Sequence, residues 1–442
     1  MTGRDIRVIH REATPQTAHA DLTVQILRSI FGGRPDGIRV RLWDGTQWPD
    51  DGPCLAVIVL RHPGALRSML LPGTEVGLAE AYIYDDFDVE GDLEAVFRCA
   101  GSLADLVLGL DRKMRVVAQL RSLPDIRRSG QPRRGPATLK GRRHSVERDN
   151  QAVRYHYDVS NDFYRLWLDR QMVYSCAYFQ SEETSLDEAQ RDKLDYTCRK
   201  LRLRPGQRLL DIGCGWGGLV IHAARAYGAN AIGITLSRPQ ADLANQLIAE
   251  AGLIGHAAVQ VRDYREVNEP TAYDALVSVG MFEHVGLAML PAYFRLAFQI
   301  LKPGGVFLNH GISIGTRESE WPGTSFTQLY VFPDGELVRI SDTLKVAEEA
   351  GFEVRDVESL REHYALTLRH WVRRLEHHHE AALAFVDEPT YRVWRLFMSG
   401  SAHGFTTGGL NVHQTLLVKL DEHGGSRFPL TRLDWYHSPP PR

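Results

Sequence analysis

The run Asp211-Ile212-Gly213-Cys214-Gly215-Trp216-Gly217 joins an apolar stretch, Arg208 to Ile212, to a helical one, Leu219 to Tyr227. Alternating glycines let a backbone turn sharply and approach a ligand with no Cβ in the way. Dinucleotide enzymes use similar loops, but two details set this one apart. It reads G-C-G-W-G rather than G-x-G-x-x-G, and Asp211 precedes the first glycine. A carboxylate there can pair with the ammonium of a methionine moiety and would repel a pyrophosphate. The expected ligand is therefore S-adenosylmethionine. The plain alternative is a tight strand-to-helix turn that binds nothing.

Two further turns extend this reading. Thr235-Leu236-Ser237-Arg238-Pro239-Gln240 closes a second apolar run. Many nucleotide folds place an acid there for the ribose hydroxyls. With Thr235 in that place, ribose contacts are expected from Thr235 and Gln240, with Leu236 and Ser237 in the same turn. Asp263-Tyr264-Arg265 follows a third run, and Tyr264 is expected to cover the adenine.

The elements that must hold these turns alternate. Strands are expected at 208–212, 231–235, 257–261, 275–279, 306–309, 352–357 and 412–420, and helices at 219–227, 240–251, 291–301 and 344–350. A long helical insertion is expected at about 366–400. That alternation predicts an α/β fold, a mostly parallel sheet with helices on both faces. Ligands then sit at the carboxyl ends of the strands. His310 is expected to end its strand, and Glu283 to follow the fourth strand at the same edge of the sheet.

Residues 1–121 form a smaller first domain, with a strand near 54–60, helix over 92–120 and no catalytic constellation. From Arg112 to Arg148 basic residues dominate, opposed only by Asp125 and Glu147, and Pro124, Gly130, Pro132, Gly135, Pro136 and Gly141 interrupt any helix. Residues 122–148 are read as a basic linker and 149–442 as the catalytic domain. The linker is either a solvated tether or a polybasic segment drawn to anionic headgroups, each cation contributing about 1 kcal/mol near the surface. Nucleic acid is disfavoured, because no aromatic residues interleave with the charges.

Bulk composition narrows the classes. The 442 residues are 43% hydrophobic and 24% charged, ordinary for a globular chain. No apolar run is long enough to span a bilayer, and no signal peptide is read at the N-terminus. The five cysteines are scattered, without a CxxC pair. That fits a reducing cytosol and no metal site. Three consecutive histidines, His377 to His379, cannot all face one ion on a helix and are read as a surface feature.

Several stretches, in order over about residues 150–420, together resemble the cyclopropane fatty acid synthases, including the mycolic acid cyclopropane synthases. They are His156-Tyr157-Asp158-Val159-Ser160-Asn161-Asp162-Phe163-Tyr164, Tyr174-Ser175-Cys176-Ala177-Tyr178-Phe179, residues 209–217, residues 233–237, residues 278–286, Phe332-Pro333-Asp334-Gly335, and His363-Tyr364-Ala365-Leu366-Thr367-Leu368. The first domain resembles that of the phospholipid-acting bacterial members. The resemblance implies a Rossmann-like class I methyltransferase domain with a seven-stranded sheet and a helical lipid-channel insertion, plus a smaller N-terminal α+β domain. It implies transfer of a methylene from S-adenosylmethionine to the cis double bond of an unsaturated phospholipid acyl chain. It also implies a homodimer and a cytoplasmic enzyme peripheral to the inner face of the membrane.

That chemistry makes demands. An alkene attacking the sulfonium methyl leaves a carbocation, and a proton must then leave before the ring closes. Aromatic faces stabilise cations, by about 2 kcal/mol or more when desolvated; the resemblance points to Tyr157 and Phe332. It implies a bound bicarbonate as the base, held by Cys176 (backbone N–H), Glu283, His310, Ile312 (backbone) and Tyr364, with Tyr174 and Ser175 on the donor. Cys176 as a nucleophile is disfavoured. His284 is read as structural. Trp371, Leu375, Phe385, Trp394, Phe397 and Met398 either wall an acyl channel or pack as core.

Other outcomes stay open on the same scaffold: a 10-methylene fatty acid, a hydroxylated or methoxylated mycolate, or an N-methylated amine. A non-catalytic lipid-binding protein on a dead methyltransferase fold is the reading from another class. Failure to bind S-adenosylmethionine would favour it.

Overall fold

The computed structural model describes residues 15–32, 35–104, 110–126, 135–157, 159–315 and 325–436. Gly130, Pro132 and Asp158, named above, and Arg127, Arg128, Arg133 and Arg134 of the basic stretch lie outside them. Two compact units divide the chain: residues 1–133 with 321–325, and 134–320 with 326–442.

The first unit is α+β. It runs α1 (Pro15–Phe31), β1 (Ile38–Arg41), β2 (Gln47–Trp48), β3 (Ala56–Leu60), α2 (Ala65–Leu70), α3 (Glu75–Ile83), β4 (Phe87–Gly91), α4 (Leu93–Ala104) and α5 (Leu110–Ser122). Its sheet has the order β2-β1-β3-β4, with β1 and β3 parallel and the two edges antiparallel. Apolar β3 takes a central place because both its neighbours cover it. Helix α5 buries Val116 and Leu120 and exposes Met114 and Val117 beside Lys113, Arg115 and Arg121.

The second unit opens with α6 (Val146–Tyr157), α7 (Asn161–Arg165) and α8 (Leu186–Lys200). A capping box starts α8: Ser185 Oγ accepts the Glu188 N–H and Glu188 reaches back to the Ser185 N–H. Then come β5 (Arg208–Ile212), α9 (Gly218–Tyr227), β6 (Asn230–Thr235), α10 (Arg238–Glu250), β7 (Ala257–Val261), β8 (Tyr273–Val279), α11 (Leu290–Ile300), β9 (Leu301–Ile314), α12 (Phe326–Tyr330), α13 (Ile340–Glu349) and β10 (Glu353–Ser359). The last elements are α14 (Arg361–His377), α15 (His379–Ala382), α16 (Glu388–Thr407), β11 (Leu410–Val418) and α17 (Leu433–Tyr436).

The seven strands lie in the order β10-β11-β9-β8-β5-β6-β7. All pairings are parallel except those of β11, which is antiparallel to both β9 and β10. The chain leaves β5 in one direction toward β6 and β7 and returns on the other side at β8, so the switch point falls between β5 and β8.

Two expectations change. Strand β9 does not stop at His310 but continues to Ile314, because β11 pairs along its whole second half and sets Gln414 opposite His310. The end of the expected linker is built into the second unit: Ala137 donates its N–H to the Leu329 carbonyl at 2.8 Å, and the Arg148 guanidinium grips both oxygens of Asp334.

Candidate active site

At the carboxyl ends of β5, β6, β7 and β8 lies a cavity of about 140 Å³, walled also by Tyr174 and Ser175. The glycine loop forms its floor. Gly213 has φ 82°, and a Cβ there would lie 2.6 Å from the Cβ of Met281. Gly215 has φ 54° with nothing near the missing Cβ, so its bare backbone faces open space. The Gly213 and Cys214 N–H groups both donate to the Ile234 carbonyl, at 2.9 and 3.0 Å, which ties the loop to β6. Trp216 lines the wall, buried, with its indole N–H on Asn161 Oδ1 at 2.8 Å.

The second turn contributes Thr235, Leu236 and Gln240. Thr235 Oγ1 donates to Gln240 Oε1 at 2.7 Å, so the two expected ribose contacts hold each other in place. From the third turn come Asp263, Tyr264 and Arg265. The Arg265 guanidinium chelates Asp263 at 2.9 and 2.7 Å and lies 5.4 Å from the Tyr264 ring centre. Asp149 of α6, which sequence reasoning did not single out, meets Arg265 at 3.1 Å and joins the wall.

Gly217 and Ser237 do not line the cavity. Gly217 (φ 79°) starts α9 with its missing Cβ 3.1 Å from Ala244, and Ser237 caps α10 by accepting the Gln240 N–H. Both shape the turns whose neighbours face the cavity. Burial pushes the Asp211 carboxyl up to about 7, with nearby Lys193 pulling it back. Lys193 itself is buried on the same wall.

Beyond the turn after β8 lies a second group. Glu283 Oε1 accepts the Ile312 backbone N–H at 2.6 Å, while Glu283 Oε2 is buried with no partner. Of the Ile312 backbone, which the resemblance implies for an anion, the N–H is taken by this carboxylate, because the turn after β8 folds over β9. Burial pushes the Glu283 carboxyl up to about 7, and the Ile312 N–H pulls it down. His310 meets Gln414 Nε2 through Nδ1 at 3.2 Å, and its Nε2 is buried without a partner. Burial and the nearby cations Lys193 and Lys200 hold its imidazole neutral.

Tyr364 and Tyr157 both feel Glu283, which with burial pushes their hydroxyls up; Tyr364 also feels Cys176 and Tyr157. Tyr364, Tyr157 and Glu283 are thus within electrostatic reach of one another. Cys176 is buried, its thiol donating to the Ala177 carbonyl at 3.3 Å, and burial raises it far from thiolate formation.

An aromatic cluster closes the region. Phe332 stacks on His156 with ring centres 3.9 Å apart, Tyr157 meets His156 edge-on at 4.6 Å, and Tyr174 stacks on His156 at 5.7 Å. His284, read above as structural, lines the cavity 6.2 Å from the Tyr157 ring and 5.7 Å from Phe332. Burial lowers it to about 4, so it is neutral. Of the insertion residues, Trp371, Leu375, Trp394 and Met398 are core, Phe385 is exposed, and Phe397 packs edge-on to Phe332 at 5.5 Å. His377 ends α14 exposed, while His379 bonds Glu388 at 2.9 Å; no metal cluster exists among the described residues.

Comparison with known proteins gives a consistent result. Residues 144–415 match the family model of mycolic acid cyclopropane synthetase. A probable fatty acid methyltransferase of Pseudomonas putida is 41% identical over 90% of this chain and 96% of its own length. Another of that description from Mycobacterium tuberculosis is 38% identical over 89% of this chain and 93% of its own. Among solved structures, the mycolic acid cyclopropane synthase CmaA1 bound to SAH (S-adenosylhomocysteine) and CTAB is 37% identical. It covers 61% of this chain and 97% of its own, with a TM-score of 0.57.

Proposed function

The chain belongs to the mycolic acid cyclopropane synthetase family and is an S-adenosylmethionine-dependent methyltransferase that acts on lipid acyl chains; from that premise we propose that it converts a cis double bond of an unsaturated phospholipid acyl chain into a cyclopropane ring. The alkene π pair attacks the sulfonium methyl, and the C–S bond breaks with its pair going to sulfur, which yields S-adenosylhomocysteine. A proton then leaves the new methyl, and the freed C–H pair closes the ring onto the cationic carbon.

The observation that carries this reading is the pair of orphaned buried atoms, Glu283 Oε2 and His310 Nε2. Buried polar atoms without partners are costly, at about 1–3 kcal/mol each, and call for an occupant. With Nδ1 engaged by the Gln414 amide N–H, His310 offers Nε2–H as a donor, while Glu283 Oε2 offers an acceptor. A bicarbonate ion carries one proton to donate and oxygens to accept, so this donor set fits it. Bicarbonate, when bound there, supplies the proton acceptor. Tyr157, Phe332 and Tyr174 cluster about His156, and aromatic rings so gathered favour positive charge on the lipid.

The test is lipid analysis after expression in a host lacking such enzymes. A gain of one CH₂ that resists mild hydrogenation marks the ring, and the rate in bicarbonate-depleted buffer should fall and recover when bicarbonate is restored. A second reading has its own support: two relatives that span about nine-tenths of this chain are named probable fatty acid methyltransferases. A methylene-branched product has the same mass as the ring but takes up hydrogen.

We further propose an anionic bilayer as the enzyme's working surface. Helix α5 supports this, with Met114 58% and Val117 37% exposed among basic side chains. Among the described residues no helix is long and apolar enough to cross the membrane.

A further inference from the structure

Lys193 has no part in the scheme above, yet its position is unusual. The side chain projects from α8 and is 2% exposed. Its Nζ donates to Ser175 Oγ at 2.8 Å, a neutral partner, and no carboxylate among the described residues forms an ion pair with it. One turn earlier on α8, Gln190 Nε2 donates to the Ser175 carbonyl at 2.8 Å. The Tyr174-Ser175 backbone and the ammonium are therefore held against each other from two consecutive positions of one helix face.

The same cavity is lined by Asp211, 3% exposed, with no side-chain hydrogen bond among the described residues. Two groups of opposite sign thus face one cavity and feel each other, with Asp169 also acting on Lys193, yet Lys193 and Asp211 form no ion pair with each other. A buried charge whose counter-charges stand off without direct contact is costly. The arrangement is complementary to a zwitterion, with a cation for a carboxylate and an anion for an ammonium. The amino-acid end of S-adenosylmethionine is such a group.

We propose that Lys193, oriented by Ser175, receives the carboxylate of the methyl donor while Asp211 receives its ammonium. This rests on the donor-site reading and adds a residue to it. Lys193 is a binding residue here: it holds the donor's tail, and through it the sulfonium, in register with the lipid.

The test is calorimetric titration of the full chain with three ligands. S-adenosylhomocysteine carries both charges, decarboxylated S-adenosylmethionine keeps only the ammonium of the tail, and 5′-methylthioadenosine has neither. Lys193→Met should weaken S-adenosylhomocysteine by about tenfold or more and leave both other ligands within about twofold. Asp211→Asn should weaken the first two and spare the third. Equal weakening of all three by Lys193→Met, or no weakening of S-adenosylhomocysteine, would overturn the proposal. Should Lys193→Met fail to fold, as seen by its melting curve, Ser175→Ala replaces it. That variant is expected to weaken S-adenosylhomocysteine but not 5′-methylthioadenosine, and an equal effect on both counts against the proposal. A wild-type chain that bound none of the three would overturn the donor site itself.

Discussion

Glu283 and Ile312 are joined by a 2.6 Å hydrogen bond from the strand amide to one carboxylate oxygen. The bond clamps the short turn after β8 onto β9 and fixes which oxygen of Glu283 is left to accept. It also explains why the carboxyl, though buried, is raised only to about 7.

Replacement of Glu283 by Gln should lower turnover by about two orders of magnitude or more while S-adenosylhomocysteine affinity stays within about twofold. In the wild type, activity should rise with pH through about 7 as the carboxylate forms. Stability runs the other way. The folded carboxyl holds its proton above the ordinary value of 4.5, so its contribution is complete below that value and is lost as pH rises through about 7. Glu283→Gln should therefore gain melting temperature over wild type at pH 8 and show no such gain at pH 4. A pH-independent offset would count against a buried, titrating Glu283.

Gln414 reaches His310 from the neighbouring strand and decides which ring nitrogen carries the proton. Gln414→Leu should reduce turnover by about tenfold without altering donor affinity. It should also shift the His310 ring nitrogen signals in a ¹⁵N spectrum. Unchanged signals together with unchanged turnover would remove Gln414 from the mechanism.

Gly213→Ala should abolish donor binding and cost several kcal/mol of stability. The alanine would have to hold φ 82° and place its Cβ 2.6 Å from that of Met281. Gly206→Ala, also at positive φ but with open space around it, separates backbone strain from the clash and should be the milder change. Comparable melting curves for the two would refute the steric argument.

Charge reversal on α5 through Lys113→Glu, Arg115→Glu and Arg121→Glu should weaken binding to vesicles containing anionic lipid. Wild-type binding should fall as salt rises, since the Debye length shortens from about 10 Å at 0.1 M to about 3 Å at 1 M. Turnover on detergent-dispersed substrate should not change. Salt-insensitive vesicle binding would exclude this helix as the contact.

Much of the catalytic unit is legible in the chain because its cues are local. The loop from Asp211 to Gly217 announces a strand-to-helix turn by its glycines, and the apolar runs alternate with amphipathic stretches at the right lengths. What escapes is set by distant pairing. His310 lies inside a strand rather than at its end because β11, about a hundred residues later, pairs alongside it. His284 follows Glu283 directly, yet both turn inward, since the short helical turn carrying them is enclosed by the β9 strand on one side and by Tyr157 and Phe332 on the other. Lys193 sits in a helix so polar that nothing marks it as buried; only the fold, which lays α8 against Ser175, reveals it.

The late arrival of β11 has a temporal consequence. Every residue that walls the donor cavity lies between positions 149 and 285, whereas the partner of His310 is residue 414. On a ribosome, which emits about 5–20 residues per second, the residues of the cavity are therefore all synthesised several seconds before Gln414, and the fold that unites them with His310 must wait for the last strand.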